Sequence, residues 1–225
     1  MKVQMKALVM AACLLLCGTA RAQEEEPQRI GGIPVDVYYL MPSFGHGLVY
    51  FYGQAPAEGE LNICALDHTL RFKDKDGTEL SATNDQNIVK VVIEGVYFLR
   101  SKEFFYRQYP VTSDYGVALK RDVVILRDAK TDSYGMVSQT SSVKEYGSIY
   151  ADGVSYDLGG RNYPYKVSET PFLYQGNTVL PLTKRNLKKL FPERKAEIDA
   201  WFKAGHALPT TLEGALELLN IWKPE

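Results

Sequence analysis

Ile88-Val89-Lys90-Val91-Val92-Ile93, interrupted by Glu94-Gly95 and resumed by Val96-Tyr97-Phe98-Leu99, is the stretch that decides the fold class. Only Lys90 breaks the first apolar run, and most of its residues are β-branched. Such side chains are stiff at χ1 and pack well on a pleated surface, so a short run of them bounded by turn residues reads as a strand. The same grammar extends outward in both directions. Residues 35–40, 48–52, 70–73 and 78–81 precede it, and residues 115–119, 123–126, 172–174 and 178–180 follow. Between them stand Pro42-Ser43-Phe44-Gly45-His46-Gly47, Asp74-Lys75-Asp76-Gly77 and Gln175-Gly176-Asn177, the last two suited to tight hairpins. Strands that recur this often with no helical period between them predict a mainly β, antiparallel sheet, either a sandwich or an open barrel. Residues 128–162, rich in Ser, Thr, Gly and Asp, predict long surface loops.

The period changes after Pro181. Thr183 is placed to cap a helix carrying Leu187, Leu190 and Phe191 on one side. Pro192 suits the start of a second helix with Ile198, Trp201 and Phe202 as its stripe, and Gly205 suits its end. Thr210-Thr211-Leu212-Glu213 resembles a capping box, after which Leu212, Ala215, Leu216, Leu219 and Trp222 define a buried face. Two to three short helices are therefore expected at the C-terminal end.

The other end reads as an export signal. Lys2 and Lys6 precede an apolar run over residues 7–17, and Ala20-Arg21-Ala22 offers small residues where a signal peptidase cuts, predicting cleavage after Ala22. The run is well short of the roughly 20 residues a permanent span needs. A lipoprotein reading fits poorly, since Leu16 precedes Cys17 and only a short apolar run precedes Cys13. The expected organisation is a signal peptide at 1–22, an acidic flexible segment at 23–33, a β domain at 34–182 and its helical cap at 183–225.

Of 26 Lys and Arg against 27 Asp and Glu, removal of Lys2, Lys6 and Arg21 leaves 23 against 27, a net charge of −4. That balance gives no basic excess for gripping nucleic acid. Only Cys64 of the three cysteines lies beyond the signal, which rules out an internal disulfide; among Leu61, Ile63 and Leu66 it reads as a small core hydrophobe.

Motifs that carry chemistry are sparse. His46, His68, Cys64 and Asp67 lack the paired spacing of a zinc site. Asp74-Lys75-Asp76-Gly77 opens like a calcium loop, but the positions that should hold Gly and Glu hold Glu79 and Asp85. Cys64 with His68, and Ser43 with His46, lack the context of an activated nucleophile. Gly159-Gly160 precedes no helix and makes no phosphate cradle. No metal or other cofactor is expected. The best binding candidate is Tyr146, Tyr150, Tyr156, Tyr163 and Tyr165, interleaved with Asp152, Asp157, Arg161 and Asn162. Rings beside hydrogen-bonding groups suit a glycan or an envelope protein, unless those tyrosines simply pack one side of strands.

One resemblance adds a setting. Gly176-Asn177, then Leu180-Pro181-Leu182-Thr183-Lys184-Arg185-Asn186-Leu187, Leu190-Phe191-Pro192-Glu193 and Ile198 are similar in order and spacing to a tail found in exported Bacteroidetes proteins with uncharacterised domains. The resemblance covers residues 172–222 and implies a Gram-negative periplasm, outer-membrane periphery or extracellular space, with no catalytic residue to transfer. The expectation is an exported, non-catalytic binding or structural protein. The alternative is a hydrolase whose His46, His68 and a carboxylate meet only in the fold.

Overall fold

The turn between the two halves of the deciding stretch is a two-residue hairpin: Glu94 has φ +47° and Gly95 φ +77°. Positive φ at both central residues matches the right-handed twist of the flanking strands. In the computed structural model, which describes residues 29–30, 33–82, 85–125 and 165–223, this hairpin is the middle of one large sheet. The strands are β1 (Arg29–Ile30), β2 (Ile33–Pro34), β3 (Gly45–Phe51), β4 (Ala57–Ile63), β5 (Leu70–Lys73), β6 (Glu79–Ser81), β7 (Ile88–Ile93), β8 (Val96–Ser101), β9 (Phe104–Pro110), β10 (Tyr115–Ile125), β11 (Tyr165–Gln175) and β12 (Thr178–Pro181). The helices are α1 (Val35–Tyr38), α2 (Lys184–Leu190), α3 (Lys195–Lys203) and α4 (Leu212–Ile221). β1 and β2 form a small hairpin of their own. The other ten strands make a continuous antiparallel sheet in the order β12-β11-β10-β9-β8-β7-β3-β4-β5-β6. The protein is thus mainly β, with a helical C-terminal end, as the residue pattern predicts.

Strand alternation separates the cores. Phe98 and Phe105 face one side of the sheet, with Val49, Leu61, Ile63, Leu70, Val91 and Ile93. Their neighbours Leu99 and Tyr106 face the other side, with Ala118 and Tyr174. The sheet is also curled. Gly47 marks one bend: a Cβ there would lie 2.4 Å from the Val92 carbonyl oxygen. At the other end, Cα atoms of β12 and β8 come within 8 Å although three strands separate them in the sheet. Helices α2, α3 and α4 cover Tyr115, Val117 and Leu173 with Leu187, Phe191, Ile198, Leu219 and Trp222.

Four local expectations need correction. Residues 35–40 are not a strand. Pro34, with φ −58°, leads into the turn α1, which lets both Tyr38 and Tyr39 be buried; a strand would send successive rings to opposite faces. Beyond α1 the chain bridges Tyr39 to Cys64, and Leu40 N–H donates to the Ile63 carbonyl at 2.9 Å. Residues 115–125 are not two runs, because β10 continues through Lys120-Arg121-Asp122. Their charges are paired, Lys120 with Asp122 at 2.9 Å and Arg121 with Glu169 on β11 at 2.8 Å, so no turn is needed. The last cap shifts by one residue: Thr211, not Thr210, accepts from the Gly214 N–H at 3.2 Å. Ile33, at the end of the segment expected to be a flexible tail, is fully buried.

The first cap is where the sequence puts it. Thr183 accepts from Asn186 N–H at 3.2 Å, and Pro192 opens a short 3-10 turn before α3. One clamp joins these helices. Lys184 and Lys188, one turn apart on α2, each place Nζ 2.6 Å from an oxygen of Asp199 on α3. Their hydrogen bonds hold the Asp199 carboxyl at about 2. A depressed carboxyl stabilises the fold above the pKa of the unfolded chain, about 4, and loses that contribution as pH falls from there toward the folded value. Carboxyl NMR should show Asp199 titrating near that value, and Lys184→Ala with Lys188→Ala should return it to the ordinary carboxylate range. Unchanged titration would mean that the clamp is not formed in solution.

Candidate functional site

A concavity in the described structure opens where β3 ends. A register shift at Tyr50/Phe51 in the β3–β7 pair re-aims Phe51, as bulges do. The Tyr52 N–H then donates to the Asn87 carbonyl at 2.9 Å, tying the end of β3 to the 3-10 turn Asp85–Asn87. The result is a cavity of about 330 Å³. Phe51, Leu70, Phe72 and Ile88 give it apolar walls, while Gln54, Ser81 and Asn87 supply polar groups around them. Among the described residues no charged side chain lines it. Pockets for small neutral ligands have this make-up, apolar walls with a few placed hydrogen-bonding groups. Sequence reading missed it, because its residues come from separate runs and each reads as ordinary strand or turn.

The histidines receive different environments and different carboxylates. His46 on β3 is exposed, and its Nε2 lies 3.0 Å from Glu58 on β4. His68 sits in the β4–β5 turn with φ +55°, its side chain only 7% exposed. Its Nε2 is 3.3 Å from Asp122 of β10, its ring meets Phe104 edge-on, and its carbonyl accepts from Arg100 Nη1 at 2.8 Å. These contacts latch the β4–β5 turn onto β8, β9 and β10. Burial pushes the Asp122 carboxyl up, but hydrogen bonds from His68 and Lys120 outweigh it and leave the pKa below the ordinary value. The buried Nδ1 of His68 has no hydrogen-bond partner among the described residues.

Cys64, four residues from His68, is not aimed at it. The thiol is fully buried beside Arg71. Burial, with the nearby Asp67 charge, pushes the thiol up to about 12. A thiolate is the reactive form, so Cys64 should resist labelling in the native state. Thiol titration should register it only in denaturant; rapid native labelling would contradict the buried placement.

Asp74 also serves its own turn. Its Oδ1 accepts from the N–H groups of Asp76 at 3.0 Å and Thr78 at 2.9 Å, the geometry of a hairpin loop. Among the described residues no three His, Cys, Asp or Glu side chains gather as a metal site. No described helix is long and apolar enough to cross a membrane.

Of the tyrosine-rich candidates, Tyr146, Tyr150, Tyr156, Arg161 and Tyr163 lie outside the described residues, as does Ala22 of the expected cleavage site. Tyr165 begins β11 and is partly buried against the cluster of Ile33, Tyr38 and Val123. There its ring packs as part of a core. No protein family, curated protein or solved structure matches this chain.

Proposed function

We propose that this chain is an exported, non-catalytic binding protein of a Gram-negative cell envelope or its surroundings, and that the pocket beside Phe51 and Phe72 is where it binds. The pocket is the observation that carries the reading: about 330 Å³ lined by aromatic, aliphatic, hydroxyl and amide groups, with no charged side chain among the described residues. Among the described residues it offers a charged ligand no countercharge. A neutral one needs none and gains the ring contacts. The curled sheet supplies rigid walls, since β3, β5 and β7 each contribute lining residues to the pocket and core residues on the same face.

The export half of the reading rests on the Lys2 to Ala22 pattern and on the resemblance of residues 172–222 to exported Bacteroidetes proteins. Intact mass of the protein recovered from the envelope or medium tests it. A mature N-terminus at Gln23 is expected, and a lipid-modified Cys13 or Cys17 overturns it. For the binding half, the isotope-labelled full chain is titrated with N-acetyl-phenylalanine amide and with neutral oligosaccharides. Saturable shifts at the amides of Phe51, Phe72, Ala82 and Asn87 are expected with one of these probes. Shifts with neither overturn the pocket as a binding site.

A further inference from the structure

The two free edges of the sheet are unlike. At one edge β12 ends in Pro181, which has no N–H to offer, and the strand lies close to β8. Prolines and covering elements are the usual protection of a sheet edge. At the other edge is β6, the last strand beyond β5. Its middle residue, Leu80, is 41% exposed and apolar. Its charged residue does not guard the edge either. The Glu79 carboxylate accepts from the Tyr39 hydroxyl at 2.6 Å and lies 3.6 Å from Arg71 Nε, so it is held back over the sheet.

The hydrogen-bond pattern fixes which β6 groups point outward. Phe72 stands opposite Leu80; Ala82 N–H donates to Leu70 O at 2.9 Å, and Asp74 N–H to Thr78 O at 3.0 Å. Residues 78, 80 and 82 therefore direct their backbone groups at β5. By the alternation of an antiparallel ladder, Glu79 and Ser81 turn their N–H and C=O groups away from it. Among the described residues nothing pairs with these two donors and two acceptors, which stand at the spacing of another strand.

We propose that β6 is a docking edge for an extended segment of a partner protein, which adds as an eleventh strand to the ten-stranded sheet and seats one uncharged, aromatic or large aliphatic side chain in the pocket. The proposal rests on the pocket being a binding site and names its occupant. Ser81 and Ala82 line the pocket together with Leu70 and Phe72 of β5, so the pocket starts where the edge ends. On an added strand the residue opposite Ala82 faces the same side as Leu70 and Phe72, hence toward the pocket. Strand addition divides the work in this way elsewhere, with backbone bonds for affinity and a pocket for alternate side chains. The uncharged lining selects the side chain; the open ladder selects an extended backbone, which a sugar does not have. A second copy of β6 fits less well in the register centred on its middle residue. Paired about Leu80 it would bring Thr78 opposite Ala82, too short to fill the cavity.

The test uses the full chain and octapeptides of alternating Thr and Val with one central Phe, followed by amide NMR. The expected result is saturable binding with slowed exchange of the Glu79 and Ser81 amide protons. Binding should weaken at least tenfold when the central Phe is replaced by Asp. N-methylation of alternate peptide nitrogens should abolish binding in one of the two phases and spare it in the other. Ser81→Pro removes an outward donor without touching the bonds to β5 and should also abolish binding. The N-methylated peptides ask the same question of the unmodified protein, so a poorly folded variant does not decide it. If N-acetyl-phenylalanine amide fills the pocket while both N-methylated peptides and Ser81→Pro leave peptide affinity unchanged, strand addition is overturned and the pocket reading stands. If no probe shifts the pocket residues, both fall. A concentration-dependent dimer that Ser81→Pro dissolves would replace the partner segment by a second copy of this chain.

Discussion

Trp222→Ala should lower the stability of the folded chain by about 3–5 kcal/mol, the range for removing a buried large aromatic side chain. Trp222 is 2% exposed and closes the C-terminal end of α4. Its ring lies 6.1 Å from Phe191 and 5.9 Å from Trp201, and Phe191 in turn meets Tyr115 of β10 edge-on at 5.3 Å. The indole thus links three helical segments to the sheet. A domain holds about 5–15 kcal/mol in all, so the variant should sit close to unfolding at physiological temperature. Urea denaturation reads this as a fall in midpoint with unchanged slope. Trp201→Ala should cost clearly less, since Trp201 is only partly buried and stacks on His206 at 4.8 Å. Equal losses would mean that α3 seals this core as much as the end of α4 does.

The tail shows why some of the structure was legible in sequence. A helix announces its buried face by spacing, so Leu187, Ile198, Leu219 and Trp222 declare themselves before any tertiary contact is known. Hairpins announce themselves too, where turn chemistry is local: Asp74 to Gly77 and Gln175 to Asn177 close as their residues predict. What was not legible depends on strands far apart in sequence. β4 and β9 are absent from the runs read as strands, because Ala57-Glu58-Gly59-Glu60 and Arg107-Gln108 interrupt the apolar pattern while pairing supplies their stability. The pocket joins residue 51 to residue 88, and nothing in either run points at the other. His68 could be singled out as a titratable residue, but its partner Asp122 lies on β10, beyond any spacing rule. The same holds for the charged cluster under the β5–β6 hairpin.

That cluster carries the second large expectation. Arg71 is 1% exposed, bonded through Nη2 to the Asp67 carboxylate and placed 3.6 Å through Nε from Glu79. Tyr39 completes it by donating to Glu79, and Thr69 donates to Asp67 through both its N–H and its hydroxyl. The members differ in what happens when one is lost. Asp67 and Glu79 are each 31% exposed, so water can reach them if the cation is removed. Arg71 has no such access, and losing its carboxylates leaves a cation buried without compensation. Breaking a buried pair in that sense costs about 3–5 kcal/mol. Asp67→Asn with Glu79→Gln should therefore destabilise the fold by about that amount, and Arg71→Met by less, although Arg71→Met deletes every bond the guanidinium makes. Arg71→Lys should not restore the native value, because one ammonium cannot span two carboxylates as the planar fork does. Denaturation of the set as a double-mutant cycle separates the pair energies from the burial cost. If Arg71→Met proves the more damaging, the guanidinium acts mainly through packing under Tyr39 and the β5–β6 hairpin, and the carboxylates are only its escort.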